Sequence, residues 1–186
     1  MSIPQQTRWA ALALAGLTAF AAPAWAADRV LLVTSMGNIE IELDAQKAPK
    51  SVANFEQYVK EGHYDGTVFH RVIPNFMLQG GGMTPDLKEK PTHKPIPLES
   101  HNGLTNVVGS VAMARTGDPN SATAQFFINV KDNAFLDEGD GYAVFGHVVS
   151  GMDVVKKIEG VATITRGPYE NVPTMPVTIK KATLEK

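Results

Sequence analysis

The residues best suited to chemistry gather in one stretch, FHRVIPNFMLQGG (69–81), where Arg71 and Gln79 stand among large apolar side chains. A guanidinium is a permanent cation with several N–H donors in a fixed plane, so beside apolar surface it offers a donor that no pH change removes. Charged side chains are seldom buried without a purpose. By strand parity Phe69, Arg71 and Ile73 share one face, which sets the cation on the side of bulky neighbours. Spacing alone leaves two alternatives open: a site, or an arginine that snorkels at a rim or pairs with an acid, with Gln79 on the surface.

Other chemistries lack their residues. The chain has no cysteine, which excludes disulfides, thiolate metal sites and a Cys nucleophile. The histidines at 63, 70, 93, 101 and 147 contain no i, i+4 pair and no HExxH, so neither a metal ion nor any other cofactor is expected. Gly80-Gly81-Gly82 is not followed by Lys-Ser/Thr and does not fit GxGxxG, which removes a phosphate cradle and leaves a bend at a strand end. No GxSxG elbow is present. With 17 Lys+Arg against 19 Asp+Glu, both signs scattered, no nucleic-acid footprint is visible.

The elements that must carry Arg71 and Gln79 are mostly short strands. VLLVTS, a turn at Met36-Gly37-Asn38 and IEIEL form a hairpin with one wet face. Pro49 opens an amphipathic helix that Gly62 closes, and a second helical pattern runs from Met152 to Ile158 before Gly160. Further β-like runs are 67–73, 76–81, 109–114, 125–130, 142–149 and 177–184. Without βα alternation, these predict a closed or nearly closed antiparallel barrel whose ends two α-helices plug. The polar, Pro-rich segment 82–107 is expected to run over the surface and border a site.

Residues 1–26 have the pattern of a signal peptide: Arg8, an uncharged run from Trp9 to Pro23, and Ala24-Trp25-Ala26 as the cleavage pattern. Residues 27–186 would then form one domain in the periplasm, with no membrane contact after cleavage and with a monomer as the default.

FHRVIPNFMLQGG, with GSVAMAR (109–115), SATAQFFIN (121–129) and YAVFGHVVSGMDVV (142–155), resembles the cyclophilin motif set in the right order, from about Val30 to the C-terminus. The leader and FINVKDNAFLD are similar to the periplasmic branch of Gram-negative bacteria. The resemblance implies a closed eight-stranded antiparallel barrel capped by two α-helices, and a peptidyl-prolyl cis/trans isomerase acting on unfolded or partly folded exported polypeptides that contain proline. Carried over position by position, Arg71 is the catalytic donor and Gln79 the substrate-binding amide, with Phe76, Met77, Phe127 and Leu136 as the proline pocket and Ala114 and Gln125 completing the groove. Phe135 stands where many members have Trp, Tyr142 where they have His, and Arg115 where they have Asn. The missing indole N–H weighs against tight cyclosporin binding, while Tyr142 leaves the pocket apolar. Two other functions compete: a chaperone that holds proline-containing segments and isomerises them incidentally, and a carrier using the barrel lumen, which bulky inward residues such as Val111, Met113 and Phe145 would fill.

Overall fold

A computed structural model describes residues 29–185; the expected signal peptide, residues 1–26, lies outside the described residues. β1 (Arg29–Thr34) and β2 (Gly37–Leu43) form the hairpin. Val30, Leu32, Ile39, Ile41 and Leu43 are buried on one face, while Glu40 and Glu42 reach Arg29 on the other. α1 (Pro49–Lys60) receives no side-chain cap from Ala48. Its N-terminal donors are met by Glu99 of the long loop, whose carboxylate accepts from the N–H groups of Lys50 (3.0 Å) and Ser51 (2.7 Å).

The chain continues through β3 (Val68–Ile73), β4 (Met77–Met83), β5 (Ser110–Met113), β6 (Phe126–Asn129), a 3-10 turn (Ala134–Asp137), β7 (Val144–Ser150) and α2 (Met152–Glu159). It ends with β8 (Thr163–Arg166), β9 (Tyr169–Pro173) and β10 (Ile179–Glu185). Eight strands form one antiparallel sheet in the order β10-β1-β2-β7-β5-β6-β4-β3. α1 packs on β7 and β10, and α2 on β2, β3 and β4.

The barrel is not closed. Its edge strands β3 and β10 share the single bridge Val68–Thr178 and a few backbone bonds, such as Phe69 N–H to the Val177 carbonyl at 2.9 Å. Pro176, just before this seam, has no N–H with which to lengthen the ladder. β8 and β9 form a separate hairpin, unforeseen in the sequence, with β9 alongside β3.

Alternate residues of the same strands enter two apolar clusters. The large core takes Phe69, Val72, Leu78, Val111, Met113, Phe126, Ile128 and Phe145. A small cluster on the other face takes Met77, Ala112, Phe127, Leu136 and Val144, with Ile73, Phe76, Leu104, Ala114 and Tyr142 packed against it. The parity expected for β3 fails at one point. Phe69 pairs with Gly80 but Arg71 with Gln79, so His70 is an extra, bulged residue. Phe69 therefore turns into the core while Ile73 joins the outer cluster. The three glycines also differ from a simple strand-end bend: β4 runs through them to Met83, and Gly81-Gly82 have no partner between the pairs Phe69–Gly80 and Val68–Met83.

Candidate active site

The ladder sets Gln79, Phe127, Ala112 and Val144 in one row across β4, β6, β5 and β7. On this row lies a cavity of about 120 Å³ lined by Arg71, Phe76, Met77, Gln79, Ala114, Arg115, Phe127, Leu136 and Tyr142. That is close to the ~150 Å³ that accepts a benzene ring in an apolar cavity, so a five-membered ring fits the scale.

Arg71 Nη1 donates to Gln79 Oε1 at 3.4 Å, and Gln79 Nε2 donates to Gln125 Oε1 at 2.9 Å. The relay fixes the orientation of the Gln79 amide and links the guanidinium to β6 through two neutral groups. Gly82 makes room for it: a Cβ there would lie 2.3 Å from Gln125 Cγ. Sequence reading placed Gln125 in the groove but saw neither the relay nor the need for a glycine at 82.

The apolar wall is aromatic. Phe127 meets Tyr142 edge to face with centroids 5.6 Å apart, and Phe76 stacks on Phe135, also at 5.6 Å. Phe135 does not line the cavity; it lies outside Phe76 and is 58% exposed. Tyr142 is not a purely apolar substitute either, since the Arg115 guanidinium lies 4.6 Å from its ring centre and Arg115 Nε donates to the Gly141 carbonyl at 3.0 Å. Two arginines thus border the cavity.

Buried amides hold this wall in place, and the sequence analysis missed them. Asn133 Nδ2 donates to the Phe76 carbonyl (2.9 Å) and to Asn129 Oδ1 (2.7 Å). Asn129 Nδ2 donates to Asn106 Oδ1 (3.0 Å) and Ser110 Oγ (2.9 Å), and Asn106 Nδ2 to Asp137 (2.6 Å). The network ties the turn bearing Leu136 to β6, β5 and the segment around Asn106. A polar residue inside the apolar run QFFINV was its one trace in the sequence.

Beside Arg71, burial lowers the His70 pKa to about 4; the Val68 carbonyl opposes this and the Arg71 charge adds to it. His70 is therefore neutral near pH 7 and adds no further cation. Across Arg71 and Gln79 from the small cavity lies a recess of about 370 Å³, walled by His70, Met83, Gln125 and the β8–β9 residues Pro168, Tyr169 and Glu170.

Comparison with known proteins identifies the family. Residues 29–184 match the model of the cyclophilin type peptidyl-prolyl cis-trans isomerase/CLD family. The chain is 56% identical to peptidyl-prolyl cis-trans isomerase A of Dickeya dadantii, covering 95% of this chain and 96% of that one. It is 52% identical to peptidyl-prolyl cis-trans isomerase B of Escherichia coli, covering 82% and 97%. A Cryptosporidium parvum cyclophilin type peptidyl-prolyl cis-trans isomerase superposes with a TM-score of 0.76 at 25% identity, over 87% of this chain and 99% of that one. A crystal structure of the same protein in the presence of the dipeptide Ala-Pro gives 0.74, over 85% and 99%. The chain belongs to the cyclophilin-type peptidyl-prolyl cis-trans isomerase family, enzymes that catalyse rotation about the bond preceding proline.

Proposed function

We propose that Arg71 is the catalytic donor of this isomerase and that its substrates are X–Pro bonds in unfolded or partly folded exported polypeptides. The observation that carries this reading is a guanidinium tethered to Gln79 in the wall of a ring-sized apolar cavity. Rotation is opposed by amide resonance worth ~20 kcal/mol, and no covalent bond need break. At the twisted geometry the prolyl nitrogen loses conjugation and gains a lone pair, which an Arg71 N–H binds. Planar cis and trans forms lack that lone pair, so the contact lowers the barrier rather than only tightening binding.

Phe76, Met77, Phe127 and Leu136 hold the pyrrolidine ring. The second N–H of the Gln79 amide, left over from its bond to Gln125, holds a neighbouring backbone carbonyl while the acyl group turns. Ala114, Arg115, Gln125 and Tyr142 flank the substrate chain, and Phe135 supports Phe76. The apolar walls keep water from competing for the guanidinium. No cofactor enters.

A single donor of this kind is worth ~3–4 kcal/mol, so Arg71→Ala should slow protease-coupled isomerisation of an Ala-Pro tetrapeptide about 10²–10³-fold with the fold intact. Equal rates for parent and variant would remove Arg71 from the mechanism. We also propose that residues 1–26 are removed on export, leaving a monomeric periplasmic chain from Ala27. Mass spectrometry and sedimentation of the protein from a periplasmic extract test this; a retained leader or a stable dimer would overturn it.

A further inference from the structure

The proline cavity is followed along the outer face by two further concavities that share lining residues in turn. The outer apolar cluster runs from Met77 and Phe127 through Ala112 to Val144 and Leu104. Its far end lines a cleft of about 630 Å³, five times the volume of the proline cavity, between the β2 end (Glu42–Gln46), β7 (Val144, Gly146, His147) and the loop 103–108. A recess of about 310 Å³ joins the two: it shares Tyr142 with the proline cavity, and Gly103, Leu104 and Thr105 with the cleft.

Exposed apolar surface follows the same line. Six large hydrophobic side chains are exposed among the described residues; two of them, Val107 (46%) and Val108 (49%), line the cleft, and a third, Phe135, stacks behind Phe76 of the proline cavity's wall. Such side chains scattered singly need no explanation; these two valines are neighbours in the chain and line one cleft with a polar rim. The cleft has that rim in Glu42, Asp44, Thr105 and His147. Its loop wall is also fixed: Val108 N–H donates to Asp132 (2.8 Å) and Asn106 N–H to Asp137 (3.1 Å), so the valines are presented without needing to be ordered on binding.

We propose that this cleft is a second docking site for the client chain whose proline sits beside Arg71, and that its occupant is an extended apolar segment some residues away from that proline. The assignment rests on the isomerase reading. A tetrapeptide ends before the cleft, so only long substrates use it. A peptide anchored at its proline meets the cleft at high effective concentration, and even weak apolar contact there adds to affinity.

The test is the double variant Val107→Glu/Val108→Glu. Both side chains are exposed, so folding is little disturbed. Isomerisation of the Ala-Pro tetrapeptide should stay within about twofold of the parent. Acceleration of a refolding protein limited by a prolyl step should fall about five- to tenfold, from losing the burial of two half-exposed valines. Unchanged rates in both assays would overturn the docking cleft, and so would a parallel fall in both. A parent protein inactive on the tetrapeptide would instead strike the isomerase reading.

Discussion

Two aromatic clusters are built on opposite faces of the same strands, and they differ in completeness. Inside, Phe55 meets Tyr64, Phe126 and Phe145 with centroids 5.0–5.4 Å apart, and all four rings are buried. Outside, the pairs Phe127–Tyr142 and Phe76–Phe135 stand at similar separations yet leave an open cavity of about 120 Å³. An interior packed to crystal density tolerates no such gap. The inner set is finished by α1, which supplies Phe55; among the described residues the outer set has no α-helix over it, and on the proposed reading a substrate's proline ring completes it.

Phe126 and Phe127 test this contrast at adjacent positions. Phe126→Ala should cost ~3–5 kcal/mol in stability, because the cavity it leaves is sealed on every side. Phe127→Ala empties a wall that already opens to solvent. Its stability cost should be clearly smaller, with the main loss in kcat/KM for the tetrapeptide. Denaturant unfolding and the peptide assay on both variants settle the matter; equal stability costs would break the two-face description.

His70 belongs to neither cluster. As the bulged residue between inward Phe69 and outward Arg71 it is 5% exposed, and its Nδ1 has no hydrogen-bond partner. With its pKa lowered to about 4 in the fold, against ~6.5 when unfolded, the unfolded chain binds a proton in that window that the folded chain does not. Its contribution is thus full above about pH 6.5 and is lost as pH falls toward 4, by ~3 kcal/mol. Chemical denaturation at pH 7, 5.5 and 4 should show this loss in the parent relative to His70→Gln. Turnover rests on a guanidinium and should stay flat from about pH 6 to 9. A rate that followed a histidine titration would contradict the donor role of Arg71.

Elements such as β2 and α1 were legible because each has a periodic apolar face, Ile39, Ile41 and Leu43 in the one and Val52, Phe55 and Val59 in the other, while β5 and β6, buried at every position, showed as short apolar runs. The β8–β9 hairpin was not, since Thr163–Arg166 buries nothing and shows no alternation. The open seam at Pro176 and the bulge at His70 were equally hidden: a missing N–H leaves the pattern of apolar positions unchanged, and in VFHRVI both faces carry apolar residues, so the change of parity does not show. In the site, Arg71 and Gln79 stood out as polar residues in an apolar run. Choosing Phe127 over Phe126 needed the family resemblance, because neighbouring strand residues are symmetric until a core is assigned to one face. The buried amides of Asn106, Asn129 and Asn133 act through tertiary partners 19 to 57 residues away, such as Ser110 and Phe76, which no local pattern reports.

The smallest effect probes how the open face is kept in register. Gly82 has no left-handed backbone that alanine would strain; its constraint is contact, with Gln125 Cγ 2.3 Å from where a Cβ would stand. Gly82→Ala should therefore act by pushing the Gln125 amide off Gln79, letting Gln79 turn and Arg71 lose its tether. The expected loss is about tenfold in kcat for the tetrapeptide, ~1.4 kcal/mol, with a small change in melting temperature. Gln125→Ala should cost a similar factor by removing the same acceptor. If both act through one relay, the double variant is no worse than either single one. Multiplying effects in the double variant would mean that Gly82 and Gln125 act separately, and the Arg71–Gln79–Gln125 chain would then be a contact without a catalytic consequence.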